Sequence, residues 1–374
     1  MTRLAYRNLF HDKTRLVVTL TGIAFAIVLM LIQLGLFIGF TVTTSSIIDH
    51  SRADLWICAK GVQYFEVGFP LPERKLFQIL SVPGVAAADK YIVKFTNWRR
   101  PDGAQKSVEV IGFDPGSGLG APWNLVAGSL DELKPQDTVV VDEFYAPELG
   151  VSNLGDLVEI NGYRARVVGF TRGIRSFTTT PFVFTSFKNA LNYTSSRENE
   201  PTFILVRAQS GTDLEALKAR IAARVSTIDV HTTAQFSLKT RVYWLFTTGA
   251  GIALLVAALL GLVVGIVVVG QTIYATTLDH LRDFGILKAI GASDSYVYGV
   301  IIQQAVISAA IGYVLGIGVS LGLLRLSRTA GAMIITPWEL VLSMFFLALL
   351  MCISASLISI HKVTRLDPAM VFKS

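Results

Sequence analysis

Residues 242–278 read VYWLFTTGAGIALLVAALLGLVVGIVVVGQTIYATTL and contain no Asp, Glu, Lys or Arg. Three further stretches are equally free of these residues: 16–48, 295–324 and 340–361. Each is at least as long as the roughly 20 apolar residues with which a helix crosses the hydrocarbon core of a bilayer. Leu, Ile, Val, Ala and Gly dominate all four stretches, which predicts four transmembrane helices.

The overall composition agrees with a membrane protein. Of the 374 residues 52% are hydrophobic and only 16% are charged, and the mean hydropathy is +0.54. Soluble globular proteins have about 25% charged residues, so an ordinary soluble enzyme is excluded. Disorder is excluded as well, because it requires low hydrophobicity. The net charge of +6 sits at the ends of the predicted spans, so we expect the bilayer and not nucleic acid as the partner.

The predicted layout has one span, a large segment, and then three spans. In order, the predicted parts are a cytoplasmic amphipathic N-terminal segment (1–16), the first span (17–40), an extracytoplasmic α+β domain with stalks (41–246), the second span (247–270), a cytoplasmic loop (271–298), the third span (299–323), a short outer loop (324–339), the fourth span (340–360) and a cytoplasmic tail (361–374).

The orientation follows from the basic residues near the span ends. The first 16 residues carry Arg3, Arg7, Lys13 and Arg15 against one acid, Asp12. Lys and Arg accumulate on the cytoplasmic side of membrane proteins, so both termini are predicted to be cytoplasmic. The large segment is near neutral, with 22 basic and 21 acidic residues, and is then extracytoplasmic.

Interleaved strand and helix patterns predict an α+β fold for the large segment. Alternating apolar residues over 91–98 and 106–113 flank Pro-Asp-Gly, and those over 157–160 and 164–170 flank Asn161-Gly162, both of which are hairpin signals. Helical spacing of apolar residues over 213–225 predicts an amphipathic helix.

Motifs for chemistry are missing from the sequence. It contains no G-x-x-x-x-G-K-[ST], C-x-x-C or H-E-x-x-H, so we expect no catalytic residues, no metal and no cofactor bound by this chain. The uncharged spans offer no carriers for a proton or ion relay. His50 and His231 both flank the predicted outer membrane face. They either form a pair that binds a metal or haem, or are two solvated residues of the stalks.

Small residues at G-x-x-x-G spacing predict close helix packing, either within the chain or across a dimer. These residues are Gly261 and Gly265 in the second span, and Gly312, Gly316, Gly318 and Gly322 in the third.

The loop between the second and third spans has helical spacing of apolar residues over 278–290. It forms either a docking surface on the cytoplasmic face or an interfacial helix that rests on the bilayer. Its core, LRDFGILKAIGA (281–292), resembles the R-E-I-G-I-L-K-A-L-G-A segment of the MacB/FtsX/LolC family of ABC permeases. The start of the chain, LAYRNLF (4–10), and the closing RLDPA (365–369) are also similar to that family. Residues 22–35 and 242–246 resemble its DevC branch.

This resemblance implies a MacB-like periplasmic core domain and a permease subunit in a bacterial inner membrane. It implies a homodimer with two separate ABC ATPase subunits, which hold ATP and Mg, and a coupling helix that docks on the ATPase. The implied coupling residues are Leu281, Arg282, Asp283, Phe284, Gly285, Ile286, Leu287, Lys288, Ala289 and Gly291. Asp283 and Phe284 replace the Glu and Ile that are usual in the family.

The function implied by the resemblance is mechanotransmission, in which ATPase closure moves the extracytoplasmic domain and no substrate need cross the spans. The expected output is export of a lipid, glycolipid or other hydrophobic substrate, with an adaptor and an outer-membrane channel as partners. Two alternatives remain within the superfamily: a haem-efflux permease, and an FtsX-like regulator of a cell-wall hydrolase. A stand-alone sensor is a further alternative, but it has no need of an ATPase dock.

Overall fold

The computed structural model describes residues 9–10, 13–178, 180–279, 286, 290–329 and 333–364. The chain forms two compact units: Met1–Phe40 with Ala250–Ser374, called the helical unit below, and Thr41–Gly249, called the large domain. The helices are α1 (Lys13–Asp49), α2 (Arg74–Leu80), α3 (Ala146–Leu149), α4 (Phe187–Thr194), α5 (Leu214–Arg224), α6 (Thr233–Val242), α7 (Ala250–Asp279), α8 (Asp294–Thr329) and α9 (Trp338–Thr364).

Four of these helices, α1, α7, α8 and α9, are long and apolar enough to cross a membrane. Their buried faces form one apolar cluster to which all four contribute, including Ile27, Val269, Ala305 and Met351. The predicted spans 17–40, 299–323 and 340–360 lie within α1, α8 and α9. The predicted second span begins three residues before α7, in a π-helical turn over Tyr243–Thr247.

The large domain is built on ten strands. They are β1 (Leu55–Ala59), β2 (Val85–Arg99), β3 (Gln105–Phe113), β4 (Leu125–Ala127), β5 (Thr138–Asp142), β6 (Leu157–Ile160), β7 (Tyr163–Thr171), β8 (Phe182–Ser186), β9 (Phe203–Ala208) and β10 (Ile228–Thr232). Their order is β10-β1-β9-β2-β3-β8-β5-β7-β4, and β6 pairs with both β2 and β7.

Strand β2 joins the two halves of this sheet. Its first half, from Val85 to Tyr91, pairs with β9, and its second half, from Ile92 to Arg99, pairs with β3. A strand of 15 residues is far longer than the usual five or six. The two groups of strands therefore share one continuous backbone.

Aromatic side chains fill the centre of the large domain. Trp56 is fully buried and contacts the rings of Phe65, Tyr91, Phe203 and Phe236 at centroid distances of 5.4–5.9 Å. Such aromatic contacts contribute beyond the area that they bury. They tie β1, β2 and β9 to α6, the helix that leads toward the second span.

The α+β prediction is confirmed. Both predicted hairpins form, and Asn161 and Gly162 adopt the positive φ angles of 51° and 82° that a type I′ turn requires. The predicted amphipathic helix is α5, whose Leu217 and Ile221 are buried. The sequence analysis missed β4, β8 and β10, which are short and lack flanking Asn-Gly or Pro-Gly signals.

Candidate functional site

Most of the predicted coupling segment lies outside the described residues. This holds for Leu281, Arg282, Asp283, Phe284, Gly285, Leu287, Lys288 and Ala289. Ile286 is described as helical, with 43% of its surface exposed. Gly291 has a φ of +101°, a backbone conformation that suits glycine.

The approach to that segment carries an ion pair. Arg15, in the first turn of α1, pairs with Asp279, the last residue of α7. The pair joins the start of the first span to the end of the second, two residues before Leu281. Sequence analysis used Arg15 only as an orientation signal and missed this partner, which is 264 residues away.

Four of the six predicted packing glycines lie at contacts between helices. A Cβ added at Gly265 would lie 2.3 Å from Met351 Sδ, and one added at Gly312 would lie 2.5 Å from Ile23 Cγ2. Gly261 and Gly316 also face α1, at about 3 Å from Leu29 and Ile27 side-chain atoms. By contrast, Gly318 and Gly322 have no described atom within 4 Å of such a Cβ. These two stay a prediction for contact with a second copy.

A further close contact, between α1 and the chain before α9, was not predicted from the sequence. Gly35 and Gly39 have the same G-x-x-x-G spacing in α1, and they face the chain just before α9. A Cβ on Gly39 would lie 1.7 Å from the carbonyl oxygen of Met333, and the N–H of Ile335 donates to the carbonyl oxygen of Gly35 at 3.1 Å. The spacing was a usable signal for this contact.

A three-residue polar cluster connects the end of α1 to the end of α6. Arg241 donates from Nε to Ser45 Oγ at 2.7 Å and from Nη2 to Asp49 Oδ2 at 2.6 Å. Ser45 Oγ in turn donates to Asp49 Oδ2 at 2.8 Å. We call this cluster the stalk clamp. Charged donors and acceptors in a shared network form the stronger class of hydrogen bonds.

The stalk clamp is positioned by a well-defined helix start. Thr232 and Gln235 form a capping box at the beginning of α6, in which Thr232 Oγ1 accepts from the Gln235 N–H and Gln235 Oε1 accepts from the Thr232 N–H. This arrangement satisfies two backbone donors. It fixes the start of the helix whose last turn presents Arg241.

Aromatic residues surround the π-helical turn before α7. Tyr243 stacks on Tyr64 at 4.0 Å, and Trp244 contacts Phe177 at 4.6 Å. Trp244 Nε1 also donates to Glu66 Oε2 at 3.0 Å. Tyr and Trp are enriched where a polypeptide enters the membrane–water interface. Ring contacts and the hydrogen bond to Glu66 hold the turn to the rest of the large domain.

Two carboxyl groups lie buried in the large domain. Burial raises the pKa of Glu66 to about 7, against which the hydrogen bond from Trp244 acts. Burial raises the pKa of Glu109 well above its usual range, and the nearby Glu66 raises it further. Neither carboxyl oxygen of Glu109 has a hydrogen-bond partner among the described residues. Nothing in the sequence pattern identified either residue.

The two histidines of the predicted pair lie in different surroundings. His50 stacks on Trp123 at 4.0 Å and bonds through Nδ1 to the Ser46 carbonyl at 2.8 Å. His231 lies on β10 and stacks on Phe236 at 5.7 Å. Cys58 is buried and free, and burial raises the pKa of its thiol to about 12.

Comparisons with known proteins match both parts of the chain. Residues 16–224 match the model of the MacB-like periplasmic core domain, and residues 255–368 match that of the FtsX-like permease C-terminal region. An uncharacterized ABC transporter permease of Mycobacterium tuberculosis is 26% identical over 373 residues, and one of Mycobacterium bovis is 25% identical over 374. Both alignments cover 98% of each chain.

Among solved structures, the extracellular domain of the noncanonic ABC-type transporter YknZ from Gram-positive bacteria covers 48% of this chain and 98% of its own. Its identity is 15% and its TM-score 0.36. The periplasmic region of MacB from Actinobacillus actinomycetemcomitans covers 52% of this chain and 96% of its own, at 13% identity and a TM-score of 0.37. The family models together span nearly the whole chain. It is thus a multi-pass membrane protein of the ABC transporter permease family that combines a MacB-like periplasmic core domain with an FtsX-like C-terminal region.

Proposed function

We propose that this chain is the permease subunit of an ABC exporter that works by mechanotransmission. A separate ATPase hydrolyses ATP, and the resulting movement passes along the helices to the large domain. The domain then drives export of a lipid, glycolipid or other hydrophobic substrate from the outer side of the inner membrane.

The stalk clamp is the observation that carries this proposal. Mechanical work on a domain requires that the helices entering it be fastened to it and to each other. Arg241 fastens the end of α6 to the end of α1 through Ser45 and Asp49. Since α6 leads through the π-helical turn into α7, both chain segments that connect the large domain to the spans meet at this cluster.

The composition of the spans supports the same mechanism. The four uncharged stretches contain no Asp, Glu, Lys or Arg along which a proton or ion could move. The packing glycines place α1 in direct contact with α7 and α8. Close packing of this kind lets a displacement at one helix be passed to its neighbours.

The partners follow from family membership and from the coupling segment. We propose two ATPase subunits, which bind ATP and Mg, and a second copy of this chain. On the family resemblance, we propose that residues 281–291 dock on the ATPase, with apolar side chains entering a pocket there and with Arg282 and Asp283 fixing the register. We propose that both termini are cytoplasmic, which the basic residues of the N-terminal segment support. An adaptor and an outer-membrane channel complete the exporter, as the resemblance to the DevC branch suggests.

Two alternatives differ in the outer partner or ligand. A haem-efflux permease needs axial ligands, for which the residue types and positions of His50, Tyr64, His231 and Tyr243 make them the candidates. The two histidines stack on different rings, and the two tyrosines stack on each other, which favours the lipid exporter. An FtsX-like regulator would bind a cell-wall hydrolase in place of the adaptor and channel.

The test compares two arginine variants in the full-length permease reconstituted with its ATPase in nanodiscs. Hydrogen exchange of the large domain is measured with and without ATP. Arg241→Gln removes the charge of the stalk clamp, and Arg224→Gln removes an exposed arginine at the end of α5 as the control. We expect wild type and R224Q to show an ATP-dependent change in exchange, and R241Q to lose it while its ATPase rate stays within about twofold. An unchanged response in R241Q would refute mechanotransmission through the clamp.

A further inference from the structure

Three metal-ligating side chains share one face of the β1–β10 pair. In this antiparallel pair Cys58 lies directly opposite Asp229, and residues directly opposite each other project from the same face. His231 follows Asp229 by two positions on β10, and residues at i and i+2 also share a face. Backbone register alone therefore brings a thiol, a carboxylate and an imidazole together.

The ligand atoms of these three side chains lie within 4.8 Å of one another. A tetrahedral zinc site with bonds of about 2.0–2.3 Å has ligand atoms roughly 3.3–3.8 Å apart. The largest separation therefore exceeds that of a formed site by only about 1 Å.

Neighbouring groups orient two of the ligands. The N–H of Gly61 donates to Asp229 Oδ2 at 2.9 Å, which leaves the other carboxylate oxygen available. Phe236 stacks on the His231 ring with an interplanar angle of 9°. His231 Nε2 is buried and has no hydrogen-bond partner among the described residues. The hydrogen bond to Asp229 is of the kind that ligating carboxylates accept in metal centres.

We propose that Cys58, Asp229 and His231 form a binding site for a divalent transition metal, best suited to Zn²⁺, in the large domain. A thiolate disfavours Ca²⁺ and Mg²⁺, whereas zinc accepts sulfur, nitrogen and oxygen ligands together. One thiolate and one carboxylate balance the two charges of the ion, and bound zinc deprotonates the thiol outright. Three protein ligands leave a fourth position for water.

Cys, His and Asp also occur together in sites where the Cys thiol is a catalytic nucleophile. Such a site differs from a metal site because its sulfur must be accessible to the substrate. The Cys58 side chain is fully buried, so a substrate carbonyl does not reach its sulfur. Asp229 and His231 are partly exposed, so a single ion enters past them. The site was not expected from the sequence, because the three residues do not form a short ligand motif: 171 positions separate Cys58 from Asp229.

The experiment uses the full-length protein in detergent, purified without a histidine tag and stripped with chelator. Zn²⁺ binding is measured by equilibrium dialysis with metal analysis, and Co²⁺ is added separately as a spectroscopic probe for thiolate ligation. We expect one Zn²⁺ per chain, a thiolate-to-Co²⁺ charge-transfer band, and no displacement of Zn²⁺ by excess Ca²⁺. This result does not depend on the proposed transport function, because neither ATP nor the ATPase is present.

Four variants decide the assignment. Cys58→Ala should abolish the Co²⁺ band and weaken Zn²⁺ binding at least tenfold, and His231→Gln, at a partly exposed position that tolerates change, should weaken it likewise. The matched controls Cys352→Ala, in α9, and His50→Gln, on the same domain, should bind as wild type does. Equal binding by wild type and H231Q, or a wild type that takes up no Zn²⁺, would overturn the proposal.

Discussion

The two ends of α1 are held in different ways. At its start, Arg15 pairs with Asp279, whose side chain is 56% exposed. At its end, Asp49 is only 32% exposed and shares both Ser45 and Arg241 in the stalk clamp. Exposed ion pairs contribute little to stability, whereas shared charged hydrogen bonds in a partly buried network contribute more.

This difference matches the two tasks in the proposed mechanism. The end of α1 in the large domain must transmit force and is firmly fastened. The start of α1 must respond to the ATPase in that mechanism, and its ion pair with Asp279 is exposed to water.

The comparison assumes that α1 is firmly packed between its two ends, and this assumption is tested at Gly39. Gly39→Ala should destabilise the protein by about 3 kcal/mol, because its Cβ would overlap the Met333 carbonyl. Gly270→Ala, in α7, is the matched control. A Cβ there would lie 3.7 Å from Ala355 Cβ, an ordinary contact distance, and it should stabilise α7 by up to about 1 kcal/mol, because alanine favours helices. Thermal unfolding in detergent measures both, and equal shifts would show that the contact at Gly39 is not specific.

The stability of the large domain should also depend on pH, because its buried carboxyl groups have raised pKa values. A raised folded-state pKa means that the folded protein holds the proton more tightly than the unfolded chain. The stabilisation is complete below the unfolded pKa of about 4.5. For Glu66 it is lost as the pH rises toward about 7, and for Glu109 the loss continues to higher pH.

We therefore expect the free energy of unfolding to fall between pH 5 and 8 by up to about 1.4 kcal/mol per pH unit for each proton. Glu109→Gln keeps the shape of the side chain and should flatten this slope and stabilise the protein at pH 8. Unfolding of the full-length protein followed by near-UV circular dichroism provides the measurement. A variant with the slope of wild type would show that Glu109 is not protonated in the folded state.

The ends of α1 can be compared directly with one variant at each. Asp49→Asn should cost about 2 kcal/mol, because it removes the charge that Arg241 and Ser45 share. Arg15→Gln should cost less than about 1 kcal/mol. Local hydrogen exchange near residues 45–49 and 15–19 reports each end separately. If the larger loss occurred at Arg15, the assignment of the fixed end would be reversed.

A variant in the segment after α7 is expected to have the smallest effect on stability and the largest effect on coupling to the ATPase. Gly285→Trp should leave the thermal unfolding temperature within about 2 °C and abolish stimulation of the ATPase by the permease, because a large side chain blocks close backbone approach. Ser295→Trp, at an exposed position of α8 outside the coupling segment, serves as the control. Normal stimulation by G285W would show that this segment does not dock on the ATPase.

The sequence predicted the parts of the fold that local physics dictates. Uncharged stretches of more than 20 residues leave few choices other than membrane helices, and Asn161-Gly162 specifies its hairpin through backbone geometry alone. Several packing glycines were also predictable, although Gly35 and Gly39 have the same spacing and were overlooked.

Contacts between distant residues were not predictable. Asp49 and Arg241 are 192 positions apart, and nothing in the pattern around either residue indicates the other. Glu109 lies in an ordinary alternating strand, so its burial depends on how β3 is covered by the rest of the domain. The metal-ligating face depends on the register of β10, a strand that the pattern did not reveal.

The most direct test of the central claim is the mass of the complex. The chain is expressed together with an ABC ATPase of the same organism, solubilised in mild detergent, captured by a tag on this chain and weighed by native mass spectrometry. The account predicts two copies of each subunit in a complex that hydrolyses ATP. Recovery of this chain alone, folded and without an ATPase under several conditions, would contradict it and favour the stand-alone sensor.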